Sequence, residues 1–183
     1  MANWFNDQLT NKNFLSPIGF LFILDKAKKT SFLCQKAEIP ALTLGNVEIP
    51  TRGMVPIPVE GNVRYGDFVI EFIVDEDLRN YMELHNWIRA LGTPQDMQER
   101  RDWIDKYSKS MASKDPRFSD ATLQVLNNNN VANFDVVFKS MFPTDLTTLS
   151  FDVTQSDNNF LTASATFKYL LYEVRNKNSV TRR

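Results

Sequence analysis

Cysteine is nearly absent: Cys34 is the one thiol in 183 residues. That excludes an intrachain disulfide and any zinc site built from several cysteines. Histidine is equally scarce. His85 has no second ligand or nucleophile beside it in sequence, so it reads as a structural residue. Glycine occurs 6 times, and no glycine-rich phosphate loop follows a strand. G-x-S-x-G and H-E-x-x-H are both missing. Charge of one sign is missing too: 21 Lys and Arg face 22 Asp and Glu, a net charge of −1, with a pI near 5.9. A nucleic-acid binder normally carries a basic excess. No run approaches the roughly 20 apolar residues that span a bilayer. The polar opening residues lack the apolar centre of a signal peptide. These absences point away from an enzyme, a cofactor, a metal site and a membrane protein. They suggest a protein kept in the cytoplasm or in an assembly built there.

What is present suits a sheet. Hydrophobic residues make up 43%, enough for a core, and 14 Phe raise the aromatic share to 12%. The predicted class is α+β, mainly β with one or two helices. Residues 1–17 read as a short amphipathic arm carrying Trp4, Phe5, Leu9 and Phe14, with Asn3 as a cap. Residues 18–174 form the main domain, and 175–183 a polar, basic tail. Residues 18–25 and Thr30 to Gln35 look like a hairpin around a lysine-rich turn. Proline and glycine punctuate 40–62 every few residues, which excludes a central strand there. The stretch reads as a long loop or a protruding two-stranded arm.

Residues 63–74 return to sheet, with Phe68, Ile70, Phe72 and Val74 on one face and Asp67, Val69, Glu71 and Ile73 on the other. Asp75, Glu76 and Asp77 open a helix; acids there complement its dipole, and metal binding is the weaker reading. Leu78, Tyr81, Leu84, Ile88 and Leu91 mark its core face, and Gly92 its stop. Thr93 and Pro94 then start a charged helical excursion spanning 94–118, with its helix near 94–110. Four asparagines, 127–130, join Ala121–Leu126 to Val131–Met141 as a hairpin. Leu146–Val153 reads as a further strand after Pro143, and 156–159 as a turn.

Residues 160–174 alternate most cleanly. Leu161, Ala163, Ala165, Phe167, Tyr169 and Leu171 point one way, and Thr162, Ser164, Thr166 and Lys168 the other. One face is dry and the other wet. A wet, hydroxyl-rich sheet face suits a water-filled lumen, and a long strand needs its edges paired.

Several segments, in order, resemble the tail tube family of contractile phages. The first runs from Phe32 to Ala37 and on to Ile39-Pro40; the second joins Val47-Glu48-Ile49-Pro50 to Val55-Pro56. The third is Phe68 to Glu76 leading to Asn86-Trp87, and the fourth is Met141 to Thr144 followed by Leu149 to Asp152 and the final strand. The resemblance covers roughly 18–174. It implies an antiparallel sandwich or barrel-like subunit, six of which close a ring whose inner sheet faces a lumen. It also implies stacked rings, with sheath and baseplate as neighbours and DNA passing through without specific binding, in the tail of a virion.

On that reading Thr162, Ser164, Thr166 and Lys168 line the channel, with Asp67 and Glu71 as poorer candidates and Glu71 as the partner of Lys168. Leu42, Leu44, Val47, Ile49, Met54, Val55 and Ile57 make the inter-subunit contacts of the projecting loop. The N-terminal arm and the Asn-Trp helix also resemble relatives at the baseplate end that initiate the tube. A secretion-system tube and an uncharacterised ligand-binding barrel stay open as weaker alternatives.

Overall fold

The computed structural model describes residues 13–53, 55–93, 95–108, 115, 117–154 and 160–176. Among them the chain forms β1 (Phe20–Leu24), α1 (Lys28–Phe32), β2 (Cys34–Ala37), β3 (Leu42–Ile49), β4 (Ile57–Tyr65) and β5 (Phe68–Ile73). There follow α2 (Arg79–Gly92), α3 (Met97–Ser108), β6 (Ser119–Leu126), β7 (Ala132–Leu146), β8 (Thr162–Lys168) and β9 (Leu171–Asn176). The first twelve residues, Met54, Pro94, 109–114, Pro116, 155–159 and the end of the tail lie outside the described residues. So do the expectations placed on Trp4, Phe5 and the 156–159 turn.

Strand β7, 15 residues long, ties the molecule together. Its first part pairs with β6 and β9. Its last part pairs with β8, which continues to β5 and β2. The change of partner falls at Ser140, whose φ is +54° and whose N–H donates to Asp120 Oδ1 at 3.2 Å. A bulge there turns the strand from one sheet into the next, as at the corners of orthogonal sandwiches and barrels. The partner strand turns with it: β8 and β9 are one run bent at Tyr169-Leu170, where Leu170 N–H donates to the Lys139 carbonyl. All pairings are antiparallel.

The inner faces follow the alternation. Phe68, Ile70 and Phe72 of β5 meet Phe138 of β7 and Ala163, Ala165 and Phe167 of β8 in one buried core. Ring centroids of Phe68 and Phe138 lie 4.4 Å apart, and Phe22 of β1 lies 5.4 Å from Phe68. The Asn127–Asn130 turn closes as expected. Asn127 N–H donates to the Val131 carbonyl, and Asn130 takes a φ of +58°.

Four local expectations are corrected. Residues 18–35 are not a hairpin: β1 pairs with β6 and β2 with β5, at opposite ends of the seven-stranded path. Ser31 and Thr30 instead wind α1. Ser31 Oγ accepts from Leu24 N–H and donates to the Phe22 carbonyl, and Thr30 Oγ1 donates to the Asn80 carbonyl. Pro143 does not end its strand. It is buried inside β7 opposite Phe167, at a register shift on a segment paired on one side, where a missing N–H is tolerated. Residues 147–154 accordingly form no separate strand. Strand β9 runs to Asn176, two residues into the expected tail.

The helix face is also rotated from its prediction. Asn80, Leu84, Trp87 and Ala90 are buried; Tyr81 and Leu91 pack at the margin; Leu78 and Ile88 are half-buried outside the core cluster. Leu78 is the cap, at a left-handed φ of +56°. The acids do not cap the helix. Asn80 does the local bonding: its Oδ1 accepts from the N–H groups of Asp75 and Tyr81, and its Nδ2 donates to the Ile73 carbonyl. Thr93 ends α2 rather than starting α3, its N–H donating to Arg89 O.

Helix α3 is more than a surface excursion. Trp103 is buried and stacks on Trp87 with centroids 6.1 Å apart and planes 16° apart, and Arg89 pairs with Glu99 at 2.5 Å. Beneath this stack lies Lys26, only 4% exposed, its ammonium 5.6 Å from the Trp87 ring and 5.4 Å from the Tyr107 ring. Burial lowers its pKa from 10.5 to about 8, against an opposing pull from Asp115. Between those two values the unfolded chain holds the proton that the folded chain has shed, so stability rises with pH. The stability of the natural chain relative to Lys26→Met should therefore climb between pH 8 and pH 10.5 and stay level below pH 8. Urea unfolding of the pair across that range checks it; a flat difference would mean the ammonium is not desolvated.

Candidate assembly surfaces

Two surfaces stand out once the core is accounted for. The first is the β3–β4 ribbon. It forms a sheet of its own, and among the described residues its two strands pair only with each other. Every residue from 41 to 50 is exposed. Leu42 faces Tyr65 and Leu44 faces Val63 near the root, while Val47 faces Val59 and Ile49 faces Ile57 toward the tip. Strand alternation sends Leu42 and Leu44 to one face and Val47 and Ile49 to the other. The ribbon therefore presents apolar side chains on both faces: Leu44, Val47 and Val55 are 61%, 60% and 84% exposed. Met54 lies outside the described residues. A register shift after Leu44 brings the backbones together, where a Cβ on Gly61 would sit 2.9 Å from the Gly45 carbonyl oxygen. Two glycines permit that approach.

The second surface is the outer face of β5 and β8. Register sets Thr166 opposite Val69, Ser164 opposite Glu71 and Thr162 opposite Ile73. Thr162 and Lys168 are exposed, Ser164 and Thr166 half-buried. Ser164 Oγ donates to the Ile70 carbonyl, so this hydroxyl is fixed rather than free to turn. The expected Lys168–Glu71 pair is not formed. Lys168 pairs with Asp67, one strand over at the same end, and Glu71 stands opposite Lys36 of β2. The Lys168–Asp67 pair is exposed, worth at most about 1 kcal/mol, but it removes the one cation of that row as an unbalanced charge.

The groups weighed for chemistry do not converge. Cys34 is held up to about 11 by burial, far from a reactive thiolate. Among the described residues no three of His, Cys, Asp and Glu gather in a metal-binding group. Among them, too, no helix is long and apolar enough to cross a membrane.

The sequence profile of phage tail tube proteins matches residues 8–175. This chain belongs to the phage tail tube protein family. As a tail tube protein it is a structural component of a tail. Solved structures share the fold. A chain from the PVC sheath–tube complex of an extracellular contractile injection system, in the extended state, superposes with a TM-score of 0.59 at 14% identity. That match covers 90% of this chain and 93% of that one. A chain of the tube-terminating cap of the anti-feeding prophage gives 0.60 at 12% identity, covering 96% and 99%. One from the anti-feeding prophage baseplate gives 0.57 at 13% identity, covering 91% and 98%. No curated protein matches the chain. The α+β architecture expected from the sequence is that of these tube-system proteins. The sequence signal for the tail tube family was the ordered set of four segments between Phe32 and the final strand. Nothing in the pattern pointed to Tyr169 and Tyr172, which stand at the foot of the ribbon.

Proposed function

We propose that this tail tube protein is the repeating subunit of the tube. Copies close into six-fold rings, the symmetry applied to the anti-feeding prophage baseplate, and rings stack into a conduit for DNA ejection. The observation that carries this reading is the ribbon: a two-stranded arm, apolar on both faces, that finds no cover among the described residues. Such a surface needs neighbours. Free strand edges ask for the same remedy, since among the described residues β1, β2 and β9 each pair on one side alone. The wet face of β5 and β8 then lines the lumen. Its hydroxyls stay hydrated and its lysine is balanced, so passing phosphates meet little net attraction. Neighbouring rings, sheath and baseplate are the partners, and assembly takes place in the host cytoplasm.

Negative-stain microscopy of the purified chain is the direct test. Stacked rings support the repeating subunit, lone rings would move the chain to an end of the tube, and a monomer at high concentration would overturn the proposal. The lumen assignment has its own test in a Cys34→Ser background. Thr162→Cys should react with a polymer-bearing maleimide as fast as Asn128→Cys in the free subunit, and at least tenfold more slowly in intact tubes. Equal rates in tubes would put this face outside.

A further inference from the structure

We infer that Tyr169 and Tyr172 clamp the foot of the β3–β4 arm and fix its direction before the subunit meets a neighbour. The inference rests on the reading above only for why that direction matters. The chain enters the arm at Pro40 and leaves it at Gly66. Both points are gripped from the same place. Tyr172 Oη donates to the Pro40 carbonyl at 3.3 Å, and Tyr169 Oη donates to the Gly66 carbonyl at 2.8 Å. The two feet are also tied to each other, Gly66 N–H donating to the Ala41 carbonyl at 2.9 Å. Pro40 is buried although the ten residues after it are all exposed, so burial stops sharply at the clamp.

The rings make the grip stiff. Tyr65, the last residue of β4, lies edge-on to both tyrosines, with centroids 6.0 Å from Tyr169 and 5.4 Å from Tyr172. Phe138, fully buried, supports the pair from below at 5.1 and 5.8 Å. Tyr169 sits on the corner between β8 and β9, where the chain passes from one sheet to the other. The arm is thus anchored at the corner where the chain passes between the two sheets, next to the Phe138 core. Burial, and then the neighbouring Tyr172, Asp67 and Tyr65, raise the Tyr169 hydroxyl to about 12, so it remains a donor at any pH the tube meets. An arm held in its bound direction loses less freedom on docking, which favours assembly. Ordinary packing would also bring three tyrosines together; it would not require both hydroxyls to end on the two feet.

The experiment uses the full chain as soluble subunit, with Cys34→Ser and spin labels at Arg52→Cys near the arm tip and Asn128→Cys on the barrel. Pulsed dipolar spectroscopy should give a narrow distance distribution. In the added Tyr169→Phe/Tyr172→Phe pair, which keeps the rings and removes both hydroxyls, it should broaden, with Tm little changed and the concentration needed for assembly raised about tenfold. Should the double variant lose its fold, Tyr172→Phe alone carries the test with a smaller broadening. Equally narrow distributions, or broad ones in both proteins, would overturn the clamp. The spectroscopy reads the unassembled subunit. A broadened arm in the double variant, together with a parent chain that stays monomeric at high concentration in negative stain, would therefore refute the tube reading and leave the clamp standing.

Discussion

A chain lacking residues 46–60 is expected to fold normally and to build no tubes. The cut is placed where the ribbon itself allows it. Gly45 and Gly61 already approach within van der Waals contact, so joining them leaves a short Gly-Gly-Asn connection between Leu44 and Val63. Among the described residues no core residue lies in the deleted stretch, and its side-chain hydrogen bond from Thr51 Oγ1 to the Val55 carbonyl is internal. Tm should therefore shift by no more than a few degrees. Assembly should suffer far more. Val47, Ile49, Val55 and Ile57 are each about half exposed or more, and covering what remains of each stabilises by about 1–2 kcal/mol, a share of the roughly 1.5–3 kcal/mol for full burial. Four of them together outweigh a large share of the association cost. Their loss should raise the concentration required for assembly at least a hundredfold, as read by sedimentation and microscopy on the same sample. Because the apolar residues stand on both faces, either Val47→Ser/Ile49→Ser or Leu42→Ser/Leu44→Ser should give a partial defect. Tubes formed by the deletion chain at the parent's concentration would mean the arm is ornamental.

The parts of this fold that follow a period of two were readable from the sequence. Residues 68–73 and 162–168 alternate so regularly that their dry faces were assigned correctly, residue by residue. The asparagine turn was readable because its residues tolerate positive φ. What escaped was set by tertiary partners. Thr30 and Ser31 look like strand residues, but their hydroxyls close a helical turn against Phe22, Leu24 and Asn80. Asn80 and Trp87 carry the buried face of α2 because one supplies the local hydrogen bonds and the other reaches α3, neither of which a hydrophobic stripe records. Pro143 looks like a strand end because a missing N–H is usually fatal inside a sheet; on this one-sided segment it is not. At the assembly surfaces, the apolar ribbon was legible from its composition. The partner of Lys168 was not, because the choice between Asp67 and Glu71 depends on reach along neighbouring strands.

Trp87→Ala is the substitution expected to cost most within the subunit, about 3–5 kcal/mol in urea unfolding. Trp87 is wholly buried, and its ring lies between Trp103 at 6.1 Å and Phe167 at 6.5 Å. Its Nε1–H donates to the Arg117 carbonyl at 3.0 Å, which would lose that donor. The void opens beneath α3, whose hold on the body runs through this stack and the Arg89–Glu99 pair. Ile88→Ala, one residue along but outside the core cluster, should cost less than about 1.5 kcal/mol; equal losses for the two would return the helix to the face its sequence suggested. The cavity has a second consequence. Lys26 owes its depressed pKa to the same aromatic cover. Water entering beside it should return that pKa toward 10.5, so in the Trp87→Ala background the rise in stability between pH 8 and pH 10.5 should disappear. A large loss of stability with the pH dependence intact would show that Tyr107 and its surroundings, rather than Trp87, keep the ammonium dry.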